Sequence, residues 1–215
     1  MCKSKKQKIR NKSYIKYAMG GDLMNKKTRA LTDEQYVNII RTLQSGFVRK
    51  DGGVVKPNKR VAAVLVLEAN LGLRLFDVLN LRLESIVKDG NRYRLDIVEQ
   101  KTQKKRTFTV PIEIYSYIQE YALENNINPK ARLFPISRRT VQYYLLLACE
   151  HLDYKGIGTH SFRKYFATDV YVNNHYNIEL VRILLQHSSV TTTQRYIGIQ
   201  SEMVENALKE HVKLL

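Results

Sequence analysis

The run of residues 60–71 is apolar on nearly every side when it is projected as a helix. A helix of this kind has no face to offer to water, so other elements must cover it on all sides. With 215 residues the chain is long enough to build one sizeable core around it. Gly72 follows the run at the kind of position where helices end. The sequence therefore predicts a folded domain with a helix buried at its centre.

Start and stop signals predict further helices around this central one. Thr32 and Gln35 form a capping box, apolar residues follow at helical spacing, and Gly46 stands where that helix would end. Pro111 is suited to open another helix. Residues 49–59, with two glycines and a proline, are expected to form a loop. The remaining predicted helices are 138–152, one that begins at His160, 178–185 and 202–215.

Two stretches of alternating apolar and polar residues, 92–98 and 106–110, predict β-strands. A polar segment that contains Lys101, Lys104 and Lys105 joins them, so we expect a β-hairpin with a long basic tip. The predicted fold class is therefore mainly α with a small antiparallel β-hairpin or sheet (α+β).

The net charge of the chain indicates which kind of partner it binds. There are 36 Lys and Arg against 20 Asp and Glu, which gives a formal net charge of +16 and a pI near 9.8. Such an excess favours a polyanion, so nucleic acid is the expected partner. The alternative is a basic surface that is merely solvated. No basic amphipathic helix with an aromatic face stands out, so a membrane is not expected to be the partner.

Other features exclude several classes of protein. The longest apolar run, residues 61–67, is too short to span a bilayer, and the basic N-terminus lacks the apolar stretch of a signal peptide. Cys2 and Cys149 form no C-x-x-C motif and fit a reducing cytoplasm. The five histidines do not fall at zinc-ligand spacings with a third ligand, so no metal is expected.

Residues 1–30 form a basic N-terminal segment with few apolar residues. We expect it to be disordered or to order only on DNA. A competing interpretation concerns translation. The codons for residues 20–23 can form a purine-rich run like a ribosome-binding site, which would make Met24 the start and residues 1–23 an upstream leader. Ordered structure is expected to begin near Leu31.

Two histidines, an arginine and a tyrosine mark residues 159–196 as the candidate site. His160 and Arg163 are three residues apart, so on a helix they share a face, where a ring N–H and a guanidinium fork can meet one anion. A phosphate suits this pair. Further on, His187 precedes Tyr196 by nine residues.

These motifs resemble those of the tyrosine recombinases, the phage integrase superfamily. His160 and Arg163 match the family's H-x-x-R motif, and His187 and Tyr196 stand in a run close to L-G-H-S-S-x-x-T-T-x-x-Y. The chain departs from the family at Gln186, where a glycine is usual, and at Lys164 and Tyr165, where His and Thr are frequent. The resemblance implies the catalytic-domain fold of these enzymes over residues 31–215.

Arg74 and Lys101 complete the resemblance. Gly72-Leu73-Arg74, with Asp77 three residues later, matches the first motif, G-L-R-x-x-[ED]. The alternative for Arg74 is a surface ion pair with Asp77, which would contribute a few tenths of a kcal/mol, roughly. In the family the hairpin carries a catalytic lysine, and Lys101 before Thr102 matches it best, with Lys104 and Lys105 as substitutes.

The resemblance implies a reaction and a role for each residue. Tyr196 is the nucleophile that forms a 3′-phosphotyrosyl bond with DNA, and Lys101 is the general acid. The charge that develops on the phosphate is stabilised by Arg74, Arg163, His160 and His187. Because the ester conserves the bond energy, no cofactor, metal or ATP is needed. DNA-binding side chains of lower rank are Lys104, Lys105, Arg138, Arg139 and Lys164.

Each of these side chains also has a plainer interpretation. Tyr196 is one of 14 tyrosines, most of which serve as partly buried ring surface. His187 could simply cap the helix before it. Arg138 and Arg139 could lie in a solvated first turn. On the motif helix, the side away from Arg163 is expected to be buried through Tyr165, Phe166, Val170 and Tyr171.

The expected function is site-specific DNA recombination by integration, excision or inversion. A homo-tetramer on paired sites is implied, with the tail helix 201–215 docking either on a neighbouring subunit or on its own domain, and with an accessory DNA-bending or directionality protein as a further partner. Because about thirty residues precede the catalytic domain, the chain resembles short members such as the fimbrial phase-variation invertases, or a truncated integrase. The alternatives are a catalytically idle DNA-binding regulator and a type IB topoisomerase.

Overall fold

The computed structural model describes residues 28–101, 103–197, 205, 208, 209, 211 and 212. The predictions for residues 1–27, for Thr102 and for most of the tail 201–215 lie outside the described residues. The helices are α1 (Asp33–Ser45), α2 (Lys59–Leu71), α3 (Leu75–Leu79), α4 (Ile112–Glu124), α5 (Arg138–His151), α6 (Thr159–Asn173), α7 (Ile178–Leu185) and α8 (Val190–Gln194), with a 3₁₀ turn at Leu83–Ser85. The strands are β1 (Phe47–Val48), β2 (Val54–Val55), β3 (Ile86–Asp89), β4 (Arg92–Val98) and β5 (Lys105–Val110).

Helix α2 is the centre of the core, as its composition predicted. Its residues Val61 to Leu65 are all buried, and it packs against α1, α5 and α6. Because Leu65 is fully buried, its replacement by alanine is expected to cost about 2–5 kcal/mol. The capping box of Thr32 and Gln35 at the start of α1 is present, and Gly46 ends that helix.

The predicted hairpin is confirmed, and its two strands belong to a sheet of three. The sheet order is β3-β4-β5, all antiparallel, with Leu95 paired with both Ile86 and Phe108. Strand β3 was missed because its four residues include two charged ones and its alternation is too short to detect. The loop prediction for residues 49–59 was partly wrong, since Val54–Val55 pairs with Phe47–Val48 in a second, two-stranded sheet.

Gly72 ends α2 in the left-handed region, with φ of 56°. A Cβ added there would collide with the Phe166 ring, so both the backbone conformation and the packing require glycine. The resulting turn points the Gly72 carbonyl toward two buried arginines, Arg106 and Arg163. The end of the central helix thus becomes part of the candidate site.

The prediction for the motif helix α6 was partly wrong. Tyr165, Phe166, Val170 and Tyr171 do pack against hydrophobic residues, but all four are only partly buried. The prediction concerned the side of the helix away from Arg163, whereas Arg163 is itself fully buried. Backbone carbonyls at two helix ends accept its N–H groups, which makes burial of this charge tolerable.

No helix among the described residues is long and apolar enough to cross a membrane.

Candidate active site

The candidate site forms where the C-terminal ends of α2 and α7, the hairpin and helix α6 meet. Arg74 is the N-cap residue of α3, directly after the turn at Gly72 and Leu73. Its side chain is 17% exposed, and its Nη1 donates to Glu99 Oε2. The alternative of a surface pair with Asp77 was wrong, because Asp77 is itself buried and its Oδ1 accepts from the Gln100 amide at 3.0 Å.

Arg163 joins two helix ends. Its Nη1 donates to the Gly72 carbonyl at the end of α2, and its Nη2 donates to the Leu185 carbonyl at the end of α7 at 2.9 Å. Carbonyls at helix C-termini carry partial negative charge, so they suit a guanidinium. Burial, together with the neighbouring charge of Arg74, lowers the pKa of Arg163.

Tyr196 lies beside these groups, just after α8. Its ring is partly buried, and the ring centroid is 5.9 Å from the guanidinium carbon of Arg163 and 6.0 Å from Nζ of Lys164. The backbone amide of Tyr196 donates to the Thr193 carbonyl at 2.8 Å, which continues the last turn of α8. The tyrosine that the motif selected therefore lies next to Arg163, which the H-x-x-R motif selected, and next to Lys164, which departs from the family pattern.

His187 is buried against Tyr196, with the two ring centroids 4.8 Å apart. Its Nδ1 is 3.1 Å from Oγ1 of Thr193. A hydroxyl can donate or accept, so Thr193 supports either ring tautomer and fixes the orientation of the ring. Burial and the nearby charge of Arg163 lower the pKa of His187 to about 4, so the ring is neutral at physiological pH. The catalytic role of His187 stays a prediction.

His160 and Lys101 lie at the open side of the site. The His160 side chain is exposed at the first turn of α6, and Lys101 is exposed between β4 and β5. Although part of the residue reaches solvent, desolvation by the surrounding protein lowers the pKa of His160, and the charges of Arg163 and Lys101 lower it further. Lys101 therefore lies close enough to His160 for its charge to act on the ring.

Among the lower-ranked DNA-binding residues, Lys164 is the one that reaches the site. Besides its position near Tyr196, its Nζ donates to the Thr28 carbonyl. Lys105 pairs with Asp96 at 3.3 Å on the hairpin. Lys104, Arg138 and Arg139 are exposed, the two arginines in the first turn of α5 after the N-cap Ser137. Their contact with DNA stays a prediction.

Sequence reasoning missed two buried charges at the site, Glu99 and Arg106. Both could have been found from the strand alternation. Glu99 continues the inward-facing positions of β4 that include Leu95, and Arg106 shares the inward face of β5 with Val110. The run of charged residues at the hairpin tip concealed this, because charged side chains are normally assigned to solvent.

Gln186 shows how the chain accommodates its departure from the family motif. It caps α7 in the left-handed region, with φ of 53° and ψ of 41°, where glycine is the usual residue. Its Nε2 donates to the Lys105 carbonyl at 2.9 Å, which ties this turn to the hairpin. The backbone N–H of the following residue, His187, donates to the Arg182 carbonyl at 3.0 Å.

The combined electrostatics favour an anion. Arg163 and Lys164 lie near the Tyr196 ring, and the charges of Arg74 and Arg106 act on the neighbouring His187. Glu99 is the carboxylate that pairs with Arg74 and Arg106. Burial raises the pKa of the nearby Glu68 well above its usual range, which weakens its ability to offset this charge. Guanidinium groups, a lysine and two neutral imidazoles suit the non-bridging oxygens of a phosphate.

Comparison with known proteins decides the family. The sequence profile of the Phage integrase family matches residues 29–203, which is most of the chain. The chain belongs to the phage integrase family. The resemblance predicted from the motifs is thereby confirmed.

Similar members of the phage integrase family include recombinases from several bacteria. The chain is 33% identical over 163 residues to the "Probable integrase/recombinase YoeC" of Bacillus subtilis, covering 73% of this chain and 87% of that protein. It is 26% identical over 192 residues to the "Tyrosine recombinase XerC" of Caldanaerobacter subterraneus subsp. tengcongensis, covering 84% of this chain but 50% of that protein. The chain therefore spans about half the length of XerC.

Solved structures confirm the fold of a phage integrase family catalytic domain. The XerA recombinase superposes with a TM-score of 0.63 at 19% identity, over 89% of this chain and 66% of that one. The catalytic domain of the bacteriophage HP1 integrase gives a TM-score of 0.59 at 20% identity, over 86% of this chain and 95% of that one. The XerH site-specific recombinase bound to its palindromic difH substrate gives a TM-score of 0.62 at 19% identity, over 84% of this chain and 52% of that one.

Proposed function

We propose that this chain cleaves and rejoins DNA strands at specific sites through a covalent bond between Tyr196 and a 3′ phosphate. The observation that carries the proposal is the surrounding of the Tyr196 ring. Its centroid is 5.9 Å from the guanidinium carbon of Arg163 and 4.8 Å from the ring centroid of His187. A tyrosine that served only as ring surface would not require this surrounding. The family membership and the DNA-bound XerH neighbour support the same proposal.

The chemistry follows from the charges. The phenolic oxygen of Tyr196 attacks the phosphorus, and the bond from phosphorus to the 5′ oxygen breaks. The leaving oxygen takes a proton from Lys101, and the phenol proton passes to a neutral histidine or to water. Arg74 and Arg163 stabilise the negative charge on the non-bridging oxygens. A 5′-hydroxyl then attacks the phosphotyrosyl bond, restores the phosphodiester and releases Tyr196.

The contacts of the two arginines in the DNA-free protein fit a reaction in which DNA binds before the strand is cleaved. The N–H donors of Arg74 and Arg163 are shared with Glu99 and with backbone carbonyls, while each guanidinium carries five donors. Arg74 is partly exposed, so its donors beyond the one bound to Glu99 are available to a phosphate, whereas Arg163 is fully buried and must be uncovered before it can bind one. Losing one oriented donor of this type is expected to slow cleavage by about 10²–10³.

Double-stranded DNA is the proposed substrate. The net charge of +16 favours it, and a steep dependence of binding on salt is expected because phosphate contacts release counterions. A homo-tetramer on paired sites, docking through residues 201–215, an accessory DNA-bending or directionality protein and action in the bacterial cytoplasm belong to the same proposal. They are inferred from the family and not from any contact among the described residues.

Covalent trapping tests the proposal. Nicked duplexes from the DNA that flanks the gene are incubated with the wild type and with Tyr196→Phe in the presence of a chelator, and adducts are resolved on denaturing gels. Tyr176→Phe is the matched control, because Tyr176 is 57% exposed on the loop between α6 and α7. We expect adducts with the wild type and the control and none with Tyr196→Phe.

Each other outcome of this experiment would favour one of the alternative functions. An adduct with Tyr196→Phe would mean that another tyrosine is the nucleophile. Tight binding without any adduct would favour the idle DNA-binding regulator. Relaxation of supercoiled plasmid by the monomer, without a requirement for a defined site, would favour the type IB topoisomerase.

A further inference from the structure

A buried chain of charges links the hairpin to the candidate site. Arg106 is 2% exposed and Glu99 is fully buried, and Arg106 Nη1 donates to Glu99 Oε1 at 3.0 Å. The other carboxylate oxygen, Oε2, accepts from Nη1 of Arg74. One carboxylate thus stands between two arginines, one of them in the candidate site and the other remote from Tyr196 in the sequence.

Arg106 also binds the ends of two helices. Its Nη1 donates to the Gly72 carbonyl at 3.2 Å, and its Nη2 donates to the carbonyls of Leu71 at 3.0 Å and Leu184 at 2.8 Å. These carbonyls end α2 and α7 and have no acceptor role inside their own helices. A guanidinium is the group that can satisfy several such acceptors and a carboxylate at once.

Two arginines on different elements therefore bind the same pair of helix ends. Arg163 reaches them from helix α6 and binds Gly72 and Leu185. Arg106 reaches them from strand β5 and binds Gly72 and Leu184. Arg106 consequently ties the hairpin, with Lys101 near its tip, to the turn that precedes His187.

Burial of a charged group is costly unless its partners are in place, and both charged groups here have theirs: Glu99 binds two arginines, and Arg106 binds Glu99 and three backbone carbonyls. Without Arg106, the carboxylate of Glu99 would be left with Arg74 as its paired cation, and the two charges would neutralise each other. With Arg106 present, the single negative charge of Glu99 is shared between two arginines, so Arg74 keeps net positive charge that can attract an anion. Glu99 therefore orients the guanidinium of Arg74 without neutralising its charge.

We propose that Glu99 and Arg106 are positioning residues: Glu99 fixes the guanidinium of Arg74 at the scissile phosphate, and Arg106 holds Glu99 and joins the hairpin to the helix ends beside His187 and Tyr196. Neither residue touches the phosphate. The inference rests on the proposed cleavage of DNA through Tyr196.

The test compares cleavage of two linkages in the nicked duplex that traps the wild-type adduct. One carries the natural phosphodiester and the other a methylphosphonate at the scissile position, which lacks the negative charge that Arg74 would neutralise. The variants are Glu99→Gln, Arg106→Lys and Arg74→Ala. Asp89→Asn is the matched control, because Asp89 is a carboxylate at the end of β3 in the same sheet and pairs with Arg94 at 3.4 Å on the surface.

On the phosphodiester we expect Glu99→Gln and Arg106→Lys to slow cleavage by about 10- to 100-fold, less than the loss of about 10²–10³ expected for Arg74→Ala. On the methylphosphonate, relative to the wild type on the same linkage, all three losses should shrink to less than about fivefold, as expected if they act through neutralisation of charge. Asp89→Asn should cleave both linkages at the wild-type rate.

Two results would overturn the proposal. Equal losses on both linkages would mean that the pair supports only the fold or DNA binding, and an unchanged rate on the phosphodiester would mean that Arg74 needs no support. Glu99→Gln preserves the shape of the side chain, so it remains informative even where Arg106→Lys fails to fold, which circular dichroism would show.

If the wild type forms no adduct, the proposed function fails separately from this inference. The positioning of Arg74 is then judged by NMR of its guanidinium protons in the DNA-free protein. Slow exchange in the wild type and fast exchange in Glu99→Gln and Arg106→Lys are the expected results. Exchange that is as slow in both variants as in the wild type would overturn the proposed support of Arg74.

Discussion

The ring of His187 packs against the ring of Tyr196 at 4.8 Å between centroids, with the two planes inclined at 59°. His187 follows α7 and Tyr196 follows α8, so the short helix α8 brings together two side chains that are nine residues apart. Thr193, inside α8, contacts the Nδ1 of His187 and accepts the backbone amide of Tyr196 on its carbonyl. The spacing of the motif thus has a physical cause, because one turn of helix sets the distance between the two rings.

Thr193 is predicted to support cleavage through His187. Thr193→Val keeps the shape of the side chain but removes the hydroxyl at 3.1 Å from Nδ1. Loss of one hydrogen bond, about 1 kcal/mol, should slow adduct formation about fivefold. Thr191→Val is the control, because Thr191 is an exposed position of the same helix. Wild-type rates in Thr193→Val would contradict the role assigned to the hydroxyl.

The lowered pKa of His187 predicts a loss of stability in acid. The folded-state value is about 4 and the unfolded value is near 6.5, so below pH 6.5 the unfolded chain binds more protons at this residue than the folded chain does. The stabilising contribution is present above pH 6.5 and is lost as the pH falls toward 4. In urea unfolding, the wild type should lose about 1–3 kcal/mol more than His187→Gln between pH 7 and pH 4.5. Parallel losses in the two proteins would contradict the lowered pKa.

The same pKa bears on the pH dependence of the reaction. Because the His187 ring stays neutral above about pH 5, it should contribute no inflection to the cleavage rate between pH 5.5 and pH 8 in the absence of other titrations. A rate profile that loses an inflection in this window when His187 is replaced by glutamine would show that the ring titrates there.

Gln186 is predicted to be strained. It has φ of 53°, a conformation that costs an ordinary residue about 1–2 kcal/mol and costs glycine little. Gln186→Gly and Gln186→Ala both lose the hydrogen bond to the Lys105 carbonyl, so their difference reports the backbone alone. Urea unfolding should find the glycine variant more stable than the alanine variant by about 1 kcal/mol. Equal stabilities would indicate that the turn relaxes out of the left-handed region.

Gly72 is predicted to tolerate no side chain. Gly72→Ala would place a Cβ against the Phe166 ring at φ of 56° and should destabilise the protein by about 3 kcal/mol or more. Gly90→Ala is the matched control, since Gly90 has φ of 62° and nothing within 4 Å of an added Cβ, and it should cost about 1 kcal/mol. Similar losses for the two variants would mean that Phe166 moves aside without cost.

Much of the fold was predictable because its signals are local. The capping box of Thr32 and Gln35, the all-apolar helix α2 and the bounds of α7 at Ile178–Leu185 agree with the structure. Alternation likewise predicted β4 and β5. Strand β3 and the pair of Phe47–Val48 with Val54–Val55 were missed, since a strand of two to four residues is stabilised by its partner and not by its own pattern.

For the candidate site, the sequence by itself determined which residue types stand at the motif positions, and hence the family. Spacing on a helix or a short connecting turn is a local property, so the sequence alone pairs His160 with Arg163 and His187 with Tyr196. Their catalytic roles stay predictions.

Only the tertiary structure decided what surrounds those residues. Glu99 holds Arg74 across 25 positions of sequence, Arg163 lies in the core on carbonyls of Gly72 and Leu185, and Arg106 closes the network. A charged residue is assigned to solvent from sequence because burying it alone is unfavourable. Partners brought from distant parts of the chain remove that penalty, and no local pattern of residues reports where those partners will be.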